Sequence, residues 1–411
     1  MNLKRRFPKT VKLKKDLLSG DGYLAVSCML KDGKILPALG VAESGGGLPQ
    51  NIHFAGYTRL IGKYILCADN YFYSSADGRA FDFKKKFTTQ YASLVELNRI
   101  GEAGAAVFGS ASAYYFNAVA GYSEALTANV KKCVLKNGRI FGIDAANPYK
   151  IKWSGEGSHT DWTENISGAG WVITGGGYGR ILNLVVYGDK IAAVRERGIN
   201  FLHAFGTPEN FKLTYYNEVL PEIYSDTAAV IGGKLYFYTV SGLYVYDGSS
   251  AKKTELPFCD DIVDCVAASE FGGRYILSGG SRILGRDALL VVNAEEGISY
   301  LVEADKGIPV ADGEVLIYGA DGSFSALEEG AEYLFESAET DFGKRGKKVL
   351  KELLLDADGD VEIEVSNGVN SRILWGVRGN LKVNMRGESF KVTIKSNIGI
   401  NSLYGVAEAV E

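Results

Sequence analysis

Residues 232–250 read "GGKLYFYTVSGLYVYDGSS", two short apolar runs separated by a glycine turn. Four tyrosines occupy these runs, at Tyr236, Tyr238, Tyr244 and Tyr246. Aromatic residues favour the pleated, half-buried surface of a strand, and glycine supplies the positive φ of a tight turn. The stretch therefore predicts a β-hairpin.

The same pattern recurs along the chain. Residues 188–202, "GDKIAAVRERGINFL", align with 232–246 without a gap, so that Lys190 falls on Lys234 and Gly198 on Gly242. Looser copies share the order of turn glycine, charged residue, apolar strand and second turn, and their charged residues are Lys63, Arg139, Arg274 and Glu314. With a weak copy near Ala105, the repeats are spaced by about 34 to 51 residues, close to the length of a propeller blade.

These repeated strand pairs predict an all-β protein with a β-propeller of about seven blades. One strand pair cannot bury both of its faces alone, so neighbouring units must stack. The composition agrees, because 51 glycines, 24 tyrosines and 19 phenylalanines in 411 residues suit short strands and tight turns. The alternative is a large β-sandwich whose hairpins are coincidental.

The pattern changes after about residue 330. Val361, Ile363 and Val365 alternate with Glu362 and Glu364, which is the period of a strand with one buried and one solvated face. The sequence therefore predicts three segments, which are a basic extended N-terminal arm over 1–20, the propeller over 21–330 and a small C-terminal antiparallel β-sandwich over 331–411.

Two basic clusters are candidate contacts for phosphate or for an acidic partner surface. One lies in the arm, which has little apolar surface to bury, and the other is "GKRGKK" at 343–348. The candidate contact residues are Lys4, Arg5, Arg6, Lys12, Lys344, Arg345, Lys347 and Lys348. Alternatively these are solvated loop charges, because the net charge is −4 and neither cluster is interleaved with aromatic residues.

No catalytic, cofactor or metal motif stands out. The three histidines are isolated from one another and from any cysteine pair, at His53, His159 and His203, so we expect structural or surface roles for them. "TGGGYGR" at 174–180 lacks the lysine and Ser/Thr of a P-loop and predicts a turned loop. We therefore expect no enzyme activity, no cofactor and no metal.

One acidic triplet, Asp356, Asp358 and Asp360, has a spacing like that of calcium ligands. Gly359 lies inside the triplet rather than after it, which departs from the EF-hand order. An Asp-Gly hairpin turn is the alternative, since this dipeptide commonly joins two strands.

The five cysteines are an odd number without paired spacing. They indicate reduced, mostly buried residues in a protein made in the cytosol. The basic N-terminus is followed by no apolar segment of a secretory signal, and the sequence predicts no membrane span.

"YSSADGRAF" at 73–81 resembles the Asp-box turn of sialidase-like propellers. Ser74, Gly78 and Phe81 fit the pattern, while Ala76 stands where the aspartate is expected. A sialidase-type glycosidase also needs an arginine cluster, a tyrosine nucleophile and acids, which the composition allows but no motif supports. The stretch therefore predicts a blade turn.

Two longer segments resemble phage-encoded β-propeller virion proteins. Residues 151–202 carry a Trp-Ser pair, then Asp161 and Trp162, a glycine-rich stretch and a strand pair with a Gly-Ile turn. Residues 334–365 resemble the start of the β-sandwich that follows the propeller in such proteins. The family comprises the packaged-DNA stabilisation, or hub, proteins of short-tailed phages and related tail proteins. The likeness covers about 180–411 well and the N-terminal third only through its repeats.

This resemblance implies a structural virion component without catalysis, which forms rings at the head–tail joint or tail. It would be made in the host cytoplasm and then enter the virion. Its implied partners are further copies, portal, adaptor or tail subunits and, through the basic clusters, the DNA backbone. Trp153, Asp161 and Trp162 match the family pattern and are expected to pack. The alternatives are a sialidase-like or other glycan-acting enzyme and a carbohydrate-binding, lectin-type propeller.

Overall fold

The structure, a computed structural model, describes residues 10–19, 22–86, 92–99, 102–108, 112–117, 121–125 and 129–410. The strands of the N-terminal third are β1 (Thr10–Asp16), β2 (Leu24–Val26), β3 (Cys28–Lys31), β4 (Lys34–Pro37), β5 (Leu39–Gly45), β6 (Ile52–Thr58), β7 (Lys63–Ala68), β8 (Tyr71–Ser75), β9 (Asp82–Lys86), β10 (Ser93–Arg99), β11 (Glu102–Phe108), β12 (Ser112–Phe116) and β13 (Gly121–Ala125). Those of the middle are β14 (Val130–Lys136), β15 (Arg139–Asp144), β16 (Lys150–Trp153), β17 (Gly170–Ile173), β18 (Ile181–Tyr187), β19 (Lys190–Arg195), β20 (Gly198–His203), β21 (Lys212–Tyr215), β22 (Ala229–Ile231), β23 (Lys234–Thr239), β24 (Gly242–Tyr246) and β25 (Ala251–Lys253). The remainder are β26 (Ile262–Phe271), β27 (Arg274–Ser281), β28 (Arg286–Asn293), β29 (Ile298–Glu303), β30 (Ile308–Asp312), β31 (Glu314–Tyr318), β32 (Phe324–Glu329), β33 (Tyr333–Glu336), β34 (Lys348–Ser366), β35 (Ser371–Gly387), β36 (Lys391–Ser396) and β37 (Ile400–Val410).

One short 3-10 helix, Pro208–Asn210, interrupts the strands of the described residues. The described part of the chain has no helix with the length and apolar character needed to cross a membrane.

The chain forms two compact units. The propeller unit comprises Glu43–Gly297 and Ala304–Ala326, and the terminal unit comprises Met1–Ala42, Ile298–Glu303 and Leu327–Glu411. Boundaries predicted near residues 20 and 330 therefore differ from those of the structure. The physical reason is long-range pairing, because strands from both ends of the chain share one sheet in the terminal unit.

The propeller unit contains six separate four-stranded blades. Five use consecutive strands, β6–β9, β10–β13, β14–β17, β18–β21 and β22–β25. The sixth has the order β30–β31–β32–β5, so its last strand comes from the N-terminal side of the chain. The first strands contact one another in a closed ring, β6–β10–β14–β18–β22–β26–β30, with β30 beside β6. The expectation of an all-β propeller is confirmed, with six separate blades against the predicted number of about seven.

The remaining position of this ring, between β22 and β30, belongs to β26, which is followed by β27 and β28. These three strands pair in antiparallel order, and they contain the predicted repeat around Arg274. They are not one of the six separate four-stranded sheets.

The repeat pattern of the sequence marks the same point in five of the six blades and in the strands β26–β28. The charged residue after the turn glycine begins the second strand, at Lys63, Arg139, Lys190, Lys234, Arg274 and Glu314. The stretch at 232–250 forms the β23–β24 hairpin, with Thr239 opposite Gly242. Second strands are buried almost throughout, and Leu235 and Phe237 of β23 pack in one cluster with residues of the preceding blade. Each such buried side chain contributes about 1.5–3 kcal/mol, so stacking between blades stabilises the ring.

The terminal unit contains a large mixed sheet with the order β29–β2–β33–β36–β34–β37–β4–β3. Two further strands pair with members of this sheet, β1 with β37 and β35 with β34. The parallel pair is β2–β29, where Val26 lies opposite Leu301. The prediction of a small antiparallel sandwich made only of residues 331–411 was therefore wrong, because N-terminal strands also belong to this sheet. Residues 10–16 of the predicted arm form strand β1, antiparallel to β37.

The long hairpin β34–β35 turns at residues 367–370, and not at Asp358–Gly359. Its register moves from Asp356 opposite Arg378 to Val361 opposite Gly376. Residues 357–360 are therefore an irregularity within β34, which places the Asp-Gly pair in a bulge rather than in a turn.

Candidate functional site

A cavity of about 640 Å³ lies within the propeller unit. The innermost strands of the blades line it, with Phe54 of β6, Leu94 of β10, Cys133 of β14, Leu184 of β18 and Ile308 of β30 at its wall. This is the central channel of the propeller. Its size falls in the range of small-molecule sites.

An ion pair spans the channel. The Nζ atom of Lys132 lies 2.5 Å from Oδ1 of Asp226, and about one third of each side chain is exposed. Lys132 belongs to β14, whereas Asp226 precedes β22, two blades further on. The pair therefore joins blades that are not neighbours in the ring.

Both partners of this ion pair have left-handed backbone conformations, with φ of +53° at Lys132 and +59° at Asp226. The register of β14 shifts between Lys131 and Val134, so Lys132 sits in a β-bulge. Bulges redirect side chains and are frequent beside functional sites. Backbone strain of about 1–3 kcal/mol per residue persists only where the surroundings impose it.

Two residues that line the channel, His53 and Ser93, have a buried side-chain polar atom without a hydrogen-bond partner among the described residues. The Nε2 atom of His53 is buried and makes no hydrogen bond with the described residues. Burial lowers the pKa of His53, and the charge of Lys132 lowers it further against the opposing effects of Asn51 and Asp69. A neutral imidazole with a free Nε2 can exchange a hydrogen bond with a small molecule. No sequence pattern indicated this role, because His53 has no motif around it.

One thiol, that of Cys133, lines the channel wall. Burial raises the pKa of the Cys133 thiol to about 12, which keeps it protonated and unreactive. Among the described residues, no group of three or more His, Cys, Asp or Glu side chains is placed to hold a metal ion.

Asp356 pairs with Arg378, and Asp358 accepts a hydrogen bond from Asn401, so two of the three acids of the calcium-like triplet have protein partners.

The turn that resembles an Asp box is built on Ser75 and Asp77. Ser75 Oγ accepts the backbone N–H of Gly78, and the Asp77 carboxylate accepts those of Arg79 and Ala80. These backbone hydrogen bonds hold the pKa of Asp77 at about 2. The carboxylate of this turn therefore comes from Asp77, one residue after Ala76, the position at which the Asp-box pattern has its aspartate.

Arg79, which follows this turn, joins the first blade to the sixth. Its guanidinium donates to both carboxylate oxygens of Glu314 at 2.9 Å, and its Nε donates to Glu43 at 2.8 Å. Nearby, the Tyr318 hydroxyl donates to the carbonyl of Gly78 at 2.8 Å. The turn thus closes the ring of blades.

The glycine-rich stretch 174–180 is a loop, as predicted, and a buried arginine holds it. Arg195 has no exposed surface, and its guanidinium donates to the carbonyls of Thr174, Gly175 and Gly179 and to Oδ1 of Asn200. Burial lowers its pKa. Arg195 therefore has a structural role, which is to fix the glycine-rich loop.

The predicted basic contacts are not brought together. Lys4, Arg5 and Arg6 lie outside the described residues. Lys12 is exposed on β1, opposite Glu408 of β37.

The second basic cluster divides into exposed and buried members. Arg345 and Lys347 are exposed and Lys344 is half-buried. Lys348 is only 2% exposed, and its Nζ donates to the carbonyls of Gly346 and Glu388. This lysine is therefore committed to the fold and unavailable to a partner.

The residues of the family-like motif lie around one loop. Trp153 is buried and its indole N–H donates to the carbonyl of Gly168, while Trp162 is buried and donates to that of His159. Trp162 packs in the core next to Phe108. Asp161 caps the loop locally, with its Oδ1 accepting the N–H of Thr163.

A second candidate surface lies on β35, which pairs with β34 alone among the strands that the structure describes. Three apolar residues alternate along it, and we call them the edge stripe: Ile373, Trp375 and Val377, which are 56%, 65% and 37% exposed. Trp375 lies opposite Glu362, and Ile373 lies opposite Glu364. Among the described residues, neither glutamate forms an ion pair, although Lys395 lies opposite Glu362 on β36.

No protein-family model and no curated protein matches the chain. Among solved structures, it is similar to the N-terminal domain of Nup159, with 7% identity and a TM-score of 0.44 over 71% of this chain and 95% of that chain. It is also similar to a chain of an S. cerevisiae assembly of a Dbp5 variant bound to Nup159, a Gle1 variant, IP6 and ADP, with 10% identity and a TM-score of 0.44 over 71% of this chain and 95% of that chain. A further structure is BBS1N in complex with ARL6DN, with 10% identity and a TM-score of 0.49 over 70% of this chain and 96% of that chain. Identities this low concern the fold alone, and the blades described above are the observation that makes this chain a β-propeller.

Proposed function

We propose that the chain is a non-enzymatic structural protein of a phage or prophage head–tail connector or tail. It acts as a rigid subunit that docks other proteins and forms rings. It is made in the host cytoplasm and assembled into the virion. The observation that carries the docking role is the edge stripe.

Three exposed apolar side chains in alternation on an edge strand are unfavourable in an isolated protein. An open strand edge with an apolar face is a template for pairing with another chain, and monomeric proteins usually block such edges. Tryptophan is also among the residues that carry most binding energy at interfaces. A partner that covers Ile373 and Trp375 would explain their exposure.

The phage assignment is supported by the motif at 151–202. Its residues Trp153 and Trp162 are buried on either side of one loop, in agreement with the packing role that the resemblance implies. The closed ring of seven innermost strands supports counting β26–β28 as a seventh blade. A propeller of this kind offers broad, loop-rich faces for docking.

The proposal is tested by light scattering of the purified chain, alone and mixed with portal, adaptor and tail proteins of the same phage or prophage. We expect a ring or a complex of fixed stoichiometry. A double variant, Ile373→Ser with Trp375→Ser, should lose this association, while Phe205→Ser should keep it. Phe205 is the matched control because it is 82% exposed but lies outside the edge stripe. A monomer that binds none of these proteins would contradict the proposal.

The channel supports a second candidate function, which is binding of a small molecule such as a carbohydrate. The buried, unpartnered Nε2 of His53 favours it. A screen of glycans for binding and turnover tests this, with His53→Phe as the variant. Equal binding by both proteins would place the site elsewhere.

A further inference from the structure

Resting on the proposed function, we propose that the edge stripe receives the basic N-terminal segment of a neighbouring copy, so that copies join head to tail. The N-terminal segment is defined as residues 1–9, "MNLKRRFPK". Only its sequence enters the argument, because it lies outside the described residues.

The acceptor is the free edge of β35. Among the described strands, β35 pairs with β34 alone, so its other side lacks a neighbouring strand and presents alternate backbone N–H and C=O groups. The Val383 carbonyl accepts a hydrogen bond from the Arg372 guanidinium, so the proposed acceptor is limited to residues 373–377. An extended peptide gains main-chain hydrogen bonds at such an edge, and the side-chain row beside it provides selectivity. Here that row is Ile373, Trp375 and Val377.

The charges favour a basic occupant. Glu362 and Glu364 lie one strand inside the edge stripe, on the same face, and the structure gives neither an ion pair within the described residues. Neighbouring strands are about 4.8 Å apart. An arginine on an added strand can therefore lay its planar guanidinium over the indole of Trp375 and extend towards these carboxylates.

The N-terminal segment has the matching composition. It carries four cations, Lys4, Arg5, Arg6 and Lys9, together with the apolar residues Leu3 and Phe7. Its apolar side chains can lie beside the edge stripe while its cations face the glutamates. The segment thus supplies both kinds of contact that the acceptor requires.

The topology favours a neighbouring copy as the donor. Within the terminal unit, the strands run in the order β35–β34–β37–β1 where β34 begins, and Thr10, the first residue of β1, lies opposite Val410 of β37. The acceptor residues lie at the other end of the hairpin, where β34 pairs with β36 and not with β37, so the donor segment and the acceptor belong to different parts of the sheet. A contact between two different surface regions is heterologous, and it joins identical copies into a closed ring or an open chain.

The test measures the mass of the full-length chain by light scattering over a range of concentrations. One variant, Trp375→Ser, removes the centre of the edge stripe. A second variant replaces Lys4, Arg5, Arg6 and Lys9 by Ser. Each should raise the concentration needed for association at least tenfold, because the first variant removes a central aromatic contact and the second removes every cation of the donor segment. Phe205→Ser should leave it unchanged.

Mixing the two variants tests the head-to-tail arrangement directly. The Trp375→Ser chain still has a donor segment, and the cation variant still has an intact acceptor. The mixture should therefore form dimers that neither variant forms alone. A mixture that stays monomeric, variants that associate like the unmodified chain, or a mass that does not change with concentration would each overturn the inference.

A synthetic peptide of residues 1–9 tests the inference without depending on the folding of the variants. Added to the unmodified chain, it should lower the mass by competing for the acceptor, and a peptide with its four cations replaced by Ser should not. If neither peptide lowers the mass, the inference is wrong. The chain could self-associate, respond to the variants and peptides as expected, and yet bind no virion protein. That result would support this inference and contradict the proposed function.

Discussion

Replacing Arg79 by Met tests how the ring of blades is closed. The substitution keeps most of the aliphatic stem but removes the guanidinium. Three charged hydrogen bonds disappear, two to Glu314 at 2.9 Å each and one to Glu43 at 2.8 Å. Hydrogen bonds to charged groups contribute about 1.5–3 kcal/mol when buried, whereas exposed ion pairs contribute about 0.2–1 kcal/mol.

The exposure of the three side chains sets the magnitude between these limits. Arg79 is 31% exposed, Glu314 is 35% exposed and Glu43 is 49% exposed. We therefore expect Arg79→Met to lower the free energy of unfolding by about 2 kcal/mol for the three bonds together. The melting temperature of a domain of this size should then fall by about 4 °C.

The assay is denaturant unfolding followed by tryptophan fluorescence, in a Trp375→Phe background. The remaining tryptophans then all lie in the propeller unit. Arg79→Met, Glu314→Gln and the double variant form a double-mutant cycle, and we expect a coupling energy of about 1 kcal/mol. A loss below about 0.5 kcal/mol, or no coupling, would refute the closure role of Arg79.

Three further predictions concern single residues. Arg195→Met should lower the free energy of unfolding by about 2–4 kcal/mol, because several loop carbonyls lose their hydrogen-bond donor. Proteases should then cleave the glycine-rich loop faster, and an unchanged cleavage rate would contradict this prediction. The pKa of His53 is lower in the folded protein than in the unfolded chain, so as pH falls below about 6.5 the imidazole is protonated in the unfolded chain before it is protonated in the folded protein. The free energy of unfolding should therefore decrease as pH falls, by up to ~1.4 kcal/mol per pH unit. Urea unfolding at pH 7.5, 6.5 and 5.5 should show a shallower dependence for His53→Gln, and an equal slope would count against it. Lys348→Ala should cost about 2 kcal/mol while Lys347→Ala changes stability by less than about 0.5 kcal/mol, as measured by thermal unfolding; equal effects would contradict the buried role of Lys348.

Local sequence patterns were sufficient to predict the blades. In five of the six blades a turn glycine precedes the second strand and a charged residue begins it, and both are properties of one hairpin that stacking then repeats. The match of Lys190 with Lys234 is the clearest case, since each begins the corresponding strand of its blade.

Long-range pairing explains most of what the sequence did not predict. Strand β1 lies beside β37, although nearly four hundred residues separate Thr10 from Val410, and no local pattern reports such a partner. The Asp358–Gly359 pair has the composition of a turn, yet pairing of β34 with three other strands continues the strand through it. Tertiary context thus overrode turn propensity.

Burial was the other quantity that composition concealed. Lys347 and Lys348 are identical in sequence terms, but one is exposed and the other is committed to two backbone carbonyls. In the same way, His53 became a candidate for ligand binding only when the innermost strands enclosed its Nε2. The candidate site therefore depended on the arrangement of blades, which single residues cannot report.

The ring of blades can close only after both of the segments that join it have been synthesised. The turn at Gly78 and Arg79 leaves the ribosome early, but its partners Glu314 and Tyr318 follow about 235–240 residues later. At about 5–20 residues per second, the first blade waits on the order of 10–50 seconds for the sixth. During that interval its outer flank is exposed to other chains, and joining ends so distant in the chain is intrinsically slow. Nascent chains are therefore most prone to aggregate in the seconds before residue 318 emerges.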